Sequence, residues 1–149
     1  MNNIKQKAEQ LYNDELKKVQ KIVGTGLTYS TDLNKTAKKM FGSKFNGVYA
    51  ADQVNQLQKD GYFIFNLDKS NQPGSHWIAV IKNDSGIMVY DSFGRSSKQI
   101  IPNIYVITHN VKDTEHDAEQ KILEENCGAR ALAFLEVYHK HGPEIASMI

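Results

Sequence analysis

Nearly every residue between positions 129 and 138 is Ala, Leu, Phe, Val or Tyr, with Arg130 and Glu136 the exceptions. A helix that apolar around its circumference cannot lie on a surface, so the rest of the chain has to wall it in on most sides. The run also ends as a helix ends. Lys140 and His141 fall in the last turn, where cations suit the negative dipole end, and Gly142-Pro143 follows as a left-handed stop and a residue that cannot continue. The single cysteine, Cys127, stands at the opposite end, between Asn126 and Gly128. Unpaired N–H groups and the positive dipole end converge there and favour a thiolate. A lone cysteine beside an apolar run is also commonly an inert core residue, and on this stretch alone both readings stand.

The 149 residues suit one domain, long enough to bury about two-thirds of its unfolded surface without staples. One cysteine excludes an internal disulfide, and neither a secretion leader nor an apolar run of about 18 residues is evident. A soluble, reducing compartment without a membrane contact is therefore expected. Charge is unevenly spread: residues 1–60 hold ten Lys against six acids, net +4, and residues 61–149 hold eight Lys and Arg against eleven acids, net −3. The basic half suits a polyanion such as DNA, and an ordinary solvated helix face accounts for its lysines as well. No Cys-x-x-Cys or His-x-x-x-His spacing supplies zinc ligands, and no metal or other cofactor is expected.

Ile4, Ala8, Leu11, Tyr12, Leu16, Val19, Ile22 and Val23 recur at helical spacing, which predicts an opening amphipathic helix closed by Gly24. Thr31-Asp32 begins a second helix carrying Leu33, Ala37, Met40 and Phe41 and ending at Gly42, with Lys35, Lys38 and Lys39 facing water. Phe45, Val48 and Tyr49 lead into a helical turn over residues 52–58 and a strand over residues 61–67. A loop over residues 68–74 precedes two further strands, residues 76–81 and 86–91, joined as a hairpin through the four residues between them. Pairing Ile81 with Gly86 and stepping back along both strands brings His76 opposite Asp91 at the open end of the sheet. A loop over residues 92–97, a strand over residues 104–108 and an acid-rich surface loop over residues 112–126 complete the chain.

A sulfur nucleophile needs a base, a group that orients the base, and donors for the oxyanion formed on attack at a carbonyl. Cys127 has one candidate for each. His76 is the base and later the acid, Asp91 holds the imidazole, and the Cys127 backbone N–H with the Gln120 side-chain amide receives the oxyanion. Asn126 and Gly128 shape the turn into the helix. Singly each has a plainer explanation: a strand-end histidine, a turn aspartate, a solvated glutamine. Among the other histidines, His109 and His116 lie in polar surroundings, and His139 and His141 at the far end of the helix, the former ~18 Å from Cys127.

Gly74-Ser75-His76-Trp77-Ile78-Ala79, then Tyr90-Asp91-Ser92-Phe93-Gly94, then Gln120 six residues short of Asn126-Cys127-Gly128, resembles the adenovirus-type (adenain-like) cysteine endopeptidases. Relatives of these occur in virophages and large DNA viruses, within the clan of ubiquitin-like-protein proteases. The likeness spans residues 61–138 and, more loosely, the N-terminal helices. It implies an α+β, papain-like fold with a central mixed sheet, the nucleophile-bearing helix packed on it, and N-terminal helices. It implies a monomeric endopeptidase of the virion and host cytoplasm, with viral structural precursors as substrates, cut at Gly-containing sites during maturation. Trp77, Asn126 and Gly128 fall where substrate would be held, and DNA and an activating peptide are the partners the family suggests. In the adenovirus enzyme that peptide is joined through a second cysteine. This chain has none, so a peptide here would bind without a disulfide. A protease of ubiquitin-like modifiers and a non-catalytic binding module of the same fold are the alternatives.

Overall fold

A 21-residue helix, α1 (Asn3–Val23), opens the chain in the computed structural model, which describes residues 3–24, 29–67, 76–114, 118 and 126–149. Its apolar stripe is narrower than the periodicity suggests: Ala8, Tyr12, Leu16 and Val19 are buried, whereas Ile4 and Ile22 are 42% and 65% exposed. Helix α2 (Ser30–Phe41) buries Leu33, Ala37 and Phe41, leaves Lys35, Lys38 and Lys39 in water, and closes at Gly42, whose N–H reaches the Lys38 carbonyl.

Strand β1 (Phe45–Ala50) follows a 3-10 turn, Gly42–Lys44. Asn46-Gly47 reads as turn chemistry, and the strand accommodates it as a bulge in the parallel pairing with β2 (Gly61–Asn66). Between them a 3-10 segment, Ala51–Gln56, occupies the place of the expected helical turn. Strands β3 (Trp77–Asn83) and β4 (Gly86–Tyr90) form the hairpin, but its loop holds two residues, Asp84 and Ser85, rather than four. Asn83 pairs with Gly86 and Ala79 with Tyr90, so the register is displaced two residues from the expected one. Among the described residues no non-glycine has positive φ, and Gly86 at +128° makes the reversal. A Cβ there would strike the Asn110 carbonyl.

A one-turn helix, α3 (Ser97–Ile100), leads into a 3-10 helix, Pro102–Val106, where a strand was expected. Pro102 seeds the turn with its fixed φ and missing donor, and the β-branched residues then separate by depth: Ile104 is fully buried and Val106 is 87% exposed. Strand β5 (Val111–Asp113) lies in the segment read as loop; three residues with no alternation carry no strand signal, and pairing with β4 imposes the conformation. Helix α4 (Cys127–His141) buries every residue from position 127 to 137, and Gly142 at φ +87° ends it before α5 (Pro143–Ala146).

The five strands form one mixed sheet in the order β1-β2-β3-β4-β5, parallel at both outer pairs and antiparallel between, so the architecture is α+β. One face carries Tyr62, Ile64, Trp77, Ala79, Ile81, Met88 and Tyr90 against the helices, α4 above all. The other carries Phe63, Phe65, Ile78, Val80 and Val89 under Leu57, Ile101 and Ile104. Burial on both faces explains why β2 and β3 read as continuous apolar runs. No described helix is long and apolar enough to cross a membrane.

Candidate active site

Helix α4 is walled in by α1, α2, α5 and the sheet, and that enclosure sets Cys127, its first residue, against the start of β3. The Trp77 backbone N–H donates to Sγ at 3.4 Å, and Cys127 is 5% exposed. His76 immediately precedes β3, its carbonyl held by the Leu67 N–H at 3.0 Å. Its ring Nε2 lies 2.6 Å from Asp91 Oδ1, and Cys127 is near enough to favour the charged imidazole. The nitrogen left for the thiol is Nδ1.

The expected meeting of His76 and Asp91 therefore occurs, by a different route. The register opposes neither residue directly; both lie beyond the last paired positions, where β4 turns away at Asp91 and the chain enters β3 at His76. A displacement of two residues keeps each side chain on its face, so the pair survives as a diagonal rather than a direct one. The Asp91 carboxylate also organises the turn after β4. Oδ1 accepts from the Phe93 N–H at 3.2 Å, Oδ2 from the Arg95 N–H at 3.2 Å, and the Asp91 carbonyl from the Gly94 N–H at 2.9 Å. Arg95 Nε completes the set at 2.7 Å from Oδ2. Phe93 stacks on the His76 ring, centroids 4.7 Å apart and planes 27° apart.

Burial would raise the Asp91 carboxyl, but the hydrogen bonds and positive charges of His76 and Arg95 prevail and hold it down at about 2. Burial would likewise lower His76, and the hydrogen bonds and charges of Asp91 and Cys127 outweigh it, raising the imidazole above its ordinary 6.5. The site thus holds a carboxylate ionised and shifts an imidazole toward its protonated form beside a sulfur.

The three residues expected to hold substrate are all buried. The Trp77 ring is packed in the core at 7% exposure, and its backbone N–H donates to Cys127. Asn126 is buried, with its Oδ1 accepting from Arg130 Nε at 3.0 Å, and Gly128 is enclosed in α4. Gln120 lies outside the described residues, as do the loop of residues 68–74 and most of the acid-rich segment before Asn126. Sequence reasoning missed Arg95 and Arg130. The signal for each was a cation four residues after a candidate, Asp91 or Asn126, which on a turn or a helix brings the two together. Among the described residues no three His, Cys, Asp or Glu side chains gather as a metal site. No protein-family model matches the chain, and no curated protein matches it.

Proposed function

We propose that this protein is a cysteine endopeptidase of the papain-like, adenain-like kind, with Cys127 as nucleophile, His76 as acid and base, and Asp91 as the orienting carboxylate. The observation that carries the reading is the His76 ring, bonded through Nε2 to Asp91 at 2.6 Å, next to Trp77, whose backbone N–H donates to Cys127 Sγ at 3.4 Å. A thiol, an imidazole and a buried carboxylate in that order are what acyl transfer to sulfur requires. His76 holds the proton given up by the thiol as Sγ adds to the scissile carbonyl carbon. The oxyanion forms beside the Cys127 N–H, which as the first amide of α4 has no acceptor within the helix. His76 then protonates the leaving amine, and a thioester remains. Water, giving its proton to His76, displaces the sulfur and frees the acid. Asp91 keeps Nε2–H directed at itself throughout, so that Nδ1 faces the sulfur. Gln120 is the proposed second oxyanion donor.

By the resemblance of its motifs, the substrates are viral structural precursors cut at Gly-containing sites during maturation, in the virion and the host cytoplasm. The test is mass spectrometry of virion proteins and Gly-rich peptides treated with the wild-type chain and with Cys127→Ala. New termini with the first and none with the second are expected, since a small apolar residue suits that buried helix start. Cleavage by the folded variant, or none by the wild type, overturns the proposal. Reaction with a ubiquitin-like C-terminal aldehyde in place of peptide cleavage would move the substrate class to modifier conjugates.

A further inference from the structure

We propose that Arg95 is a positioning residue of this site, clamping the Asp91 carboxylate and sharing its charge with His76. The inference rests on the reading of Cys127 and His76 as the reacting pair. A carboxylate offers about four acceptor directions, and Asp91 has all four taken: His76 Nε2 and the Phe93 N–H on Oδ1, the Arg95 N–H and Arg95 Nε on Oδ2. The Asp91 side chain is fully buried, so no water competes for it. Two cations thus divide one buried negative charge from its two oxygens.

The guanidinium is held a second way. Its Cζ lies 5.2 Å from the centroid of Phe93, the ring on which His76 stacks. Phe93 and Asp91 therefore each touch both the imidazole and the guanidinium, and neither can shift without displacing the other three. The Arg95 side chain is about a third exposed and fills no core. Even so, among the described residues its Nη2 is buried without a hydrogen-bond partner, a cost that a residue placed for solubility would escape by turning outward. A planar, permanently charged fork meets both contacts, and a lysine ammonium meets only the charge.

Among the described residues, the charged groups acting on His76 are Asp91 and Cys127, and those acting on Asp91 are His76 and Arg95. Without the guanidinium the whole Asp91 charge falls on the imidazolium, which then holds its proton to higher pH and gives it less readily to a leaving amine.

Arg95→Gln and Arg95→Lys separate charge from geometry, read by NMR titration of the His76 imidazole together with kcat and KM. In R95Q the His76 midpoint rises by about one pH unit and kcat falls with KM little changed. In R95K the midpoint stays at the wild-type value while kcat falls about tenfold, because the clamp is gone and the charge is not. A structural role alone moves neither midpoint. An unmoved midpoint in R95Q, or an R95K protein that titrates like R95Q, overturns the inference. The midpoint needs no substrate, so a wild-type chain that cuts no peptide would end the peptidase reading while the titration still judged Arg95.

Discussion

The Tyr12 and Tyr90 hydroxyls lie 2.6 Å apart in the core, joining the first helix to the residue immediately before Asp91. Arg130, one turn after Cys127, donates through Nη1 to Tyr12 at 3.1 Å and through Nε to Asn126, the residue immediately before Cys127. A buried chain of hydrogen bonds therefore runs from the neighbour of the acid to the neighbour of the thiol, and α1 supplies its middle link. The N-terminal helix is in this way part of what holds the site.

Tyr12→Phe tests that link with little change of volume. It removes one hydroxyl that both Tyr90 and Arg130 use, in a fully buried position. A loss of about 1–3 kcal/mol of unfolding free energy is expected, measured by urea denaturation, with a smaller kcat at temperatures where the variant is folded. Unfolding indistinguishable from wild type would show that the chain of bonds carries no weight.

Asp91→Asn keeps the shape and alters what the side chain can accept. An amide cannot take hydrogen bonds from His76 and Arg95 on both of its heavy atoms, so Nε2–H loses its fixed direction. kcat should fall by about 10²- to 10⁴-fold with KM little affected. Steady-state kinetics on any cleaved peptide decide this, and a fall confined to KM would remove Asp91 from the orienting role.

The same two shifts set how stability follows pH. Asp91 is held at about 2 against 3.8 when unfolded, so its contribution, about 2 kcal/mol, is complete above pH 4 and is lost as pH falls toward 2. His76 is raised, so its contribution is complete below 6.5 and fades as pH climbs through the raised value. Stability should accordingly be greatest between about pH 4 and 6.5 as far as this pair decides it. In D91N the acid limb should flatten by about 2 kcal/mol, read from denaturant midpoints at pH 5 and pH 2.5. An unchanged acid limb would mean that Asp91 gains nothing from its partners.

Helix α4, the α1 stripe and strand β2 were legible because each has many residues repeating one pattern, and the pairing of His76 with Asp91 was legible because strand parity survives a two-residue displacement. Strands β1 and β5 were not, since Asn46-Gly47 and a three-residue polar strand take their conformation from pairing with β2 and β4 rather than from their own residues. Residues 104–108 misled in the other direction: their β-branched side chains suggest a strand, and Pro102 turns them into a 3-10 helix. The contact of His76 with Asp91 was legible in the side chains, and the backbone around Cys127 was not. Nothing in Trp77 as a residue type announces that its backbone N–H would donate to Cys127.

Alkylation of Cys127 isolates the thiol from any question of substrate. The His76 imidazole, shifted toward its protonated form, lies near Sγ, and the Trp77 N–H donates to the same atom, so negative charge on the sulfur is favoured from two sides before a substrate arrives. Iodoacetamide should therefore modify the wild-type protein at pH 6 faster than it modifies a free thiol, whose thiolate fraction at that pH is well under about 1%. His76→Gln removes the charge and should slow modification at pH 6. Burial at 5% exposure works against modification, so slow reaction at every pH would reflect access. The ratio of wild-type to H76Q rates at pH 6, with both chains folded, cancels that factor. A ratio of one would mean that His76 and Cys127 meet without activating the sulfur.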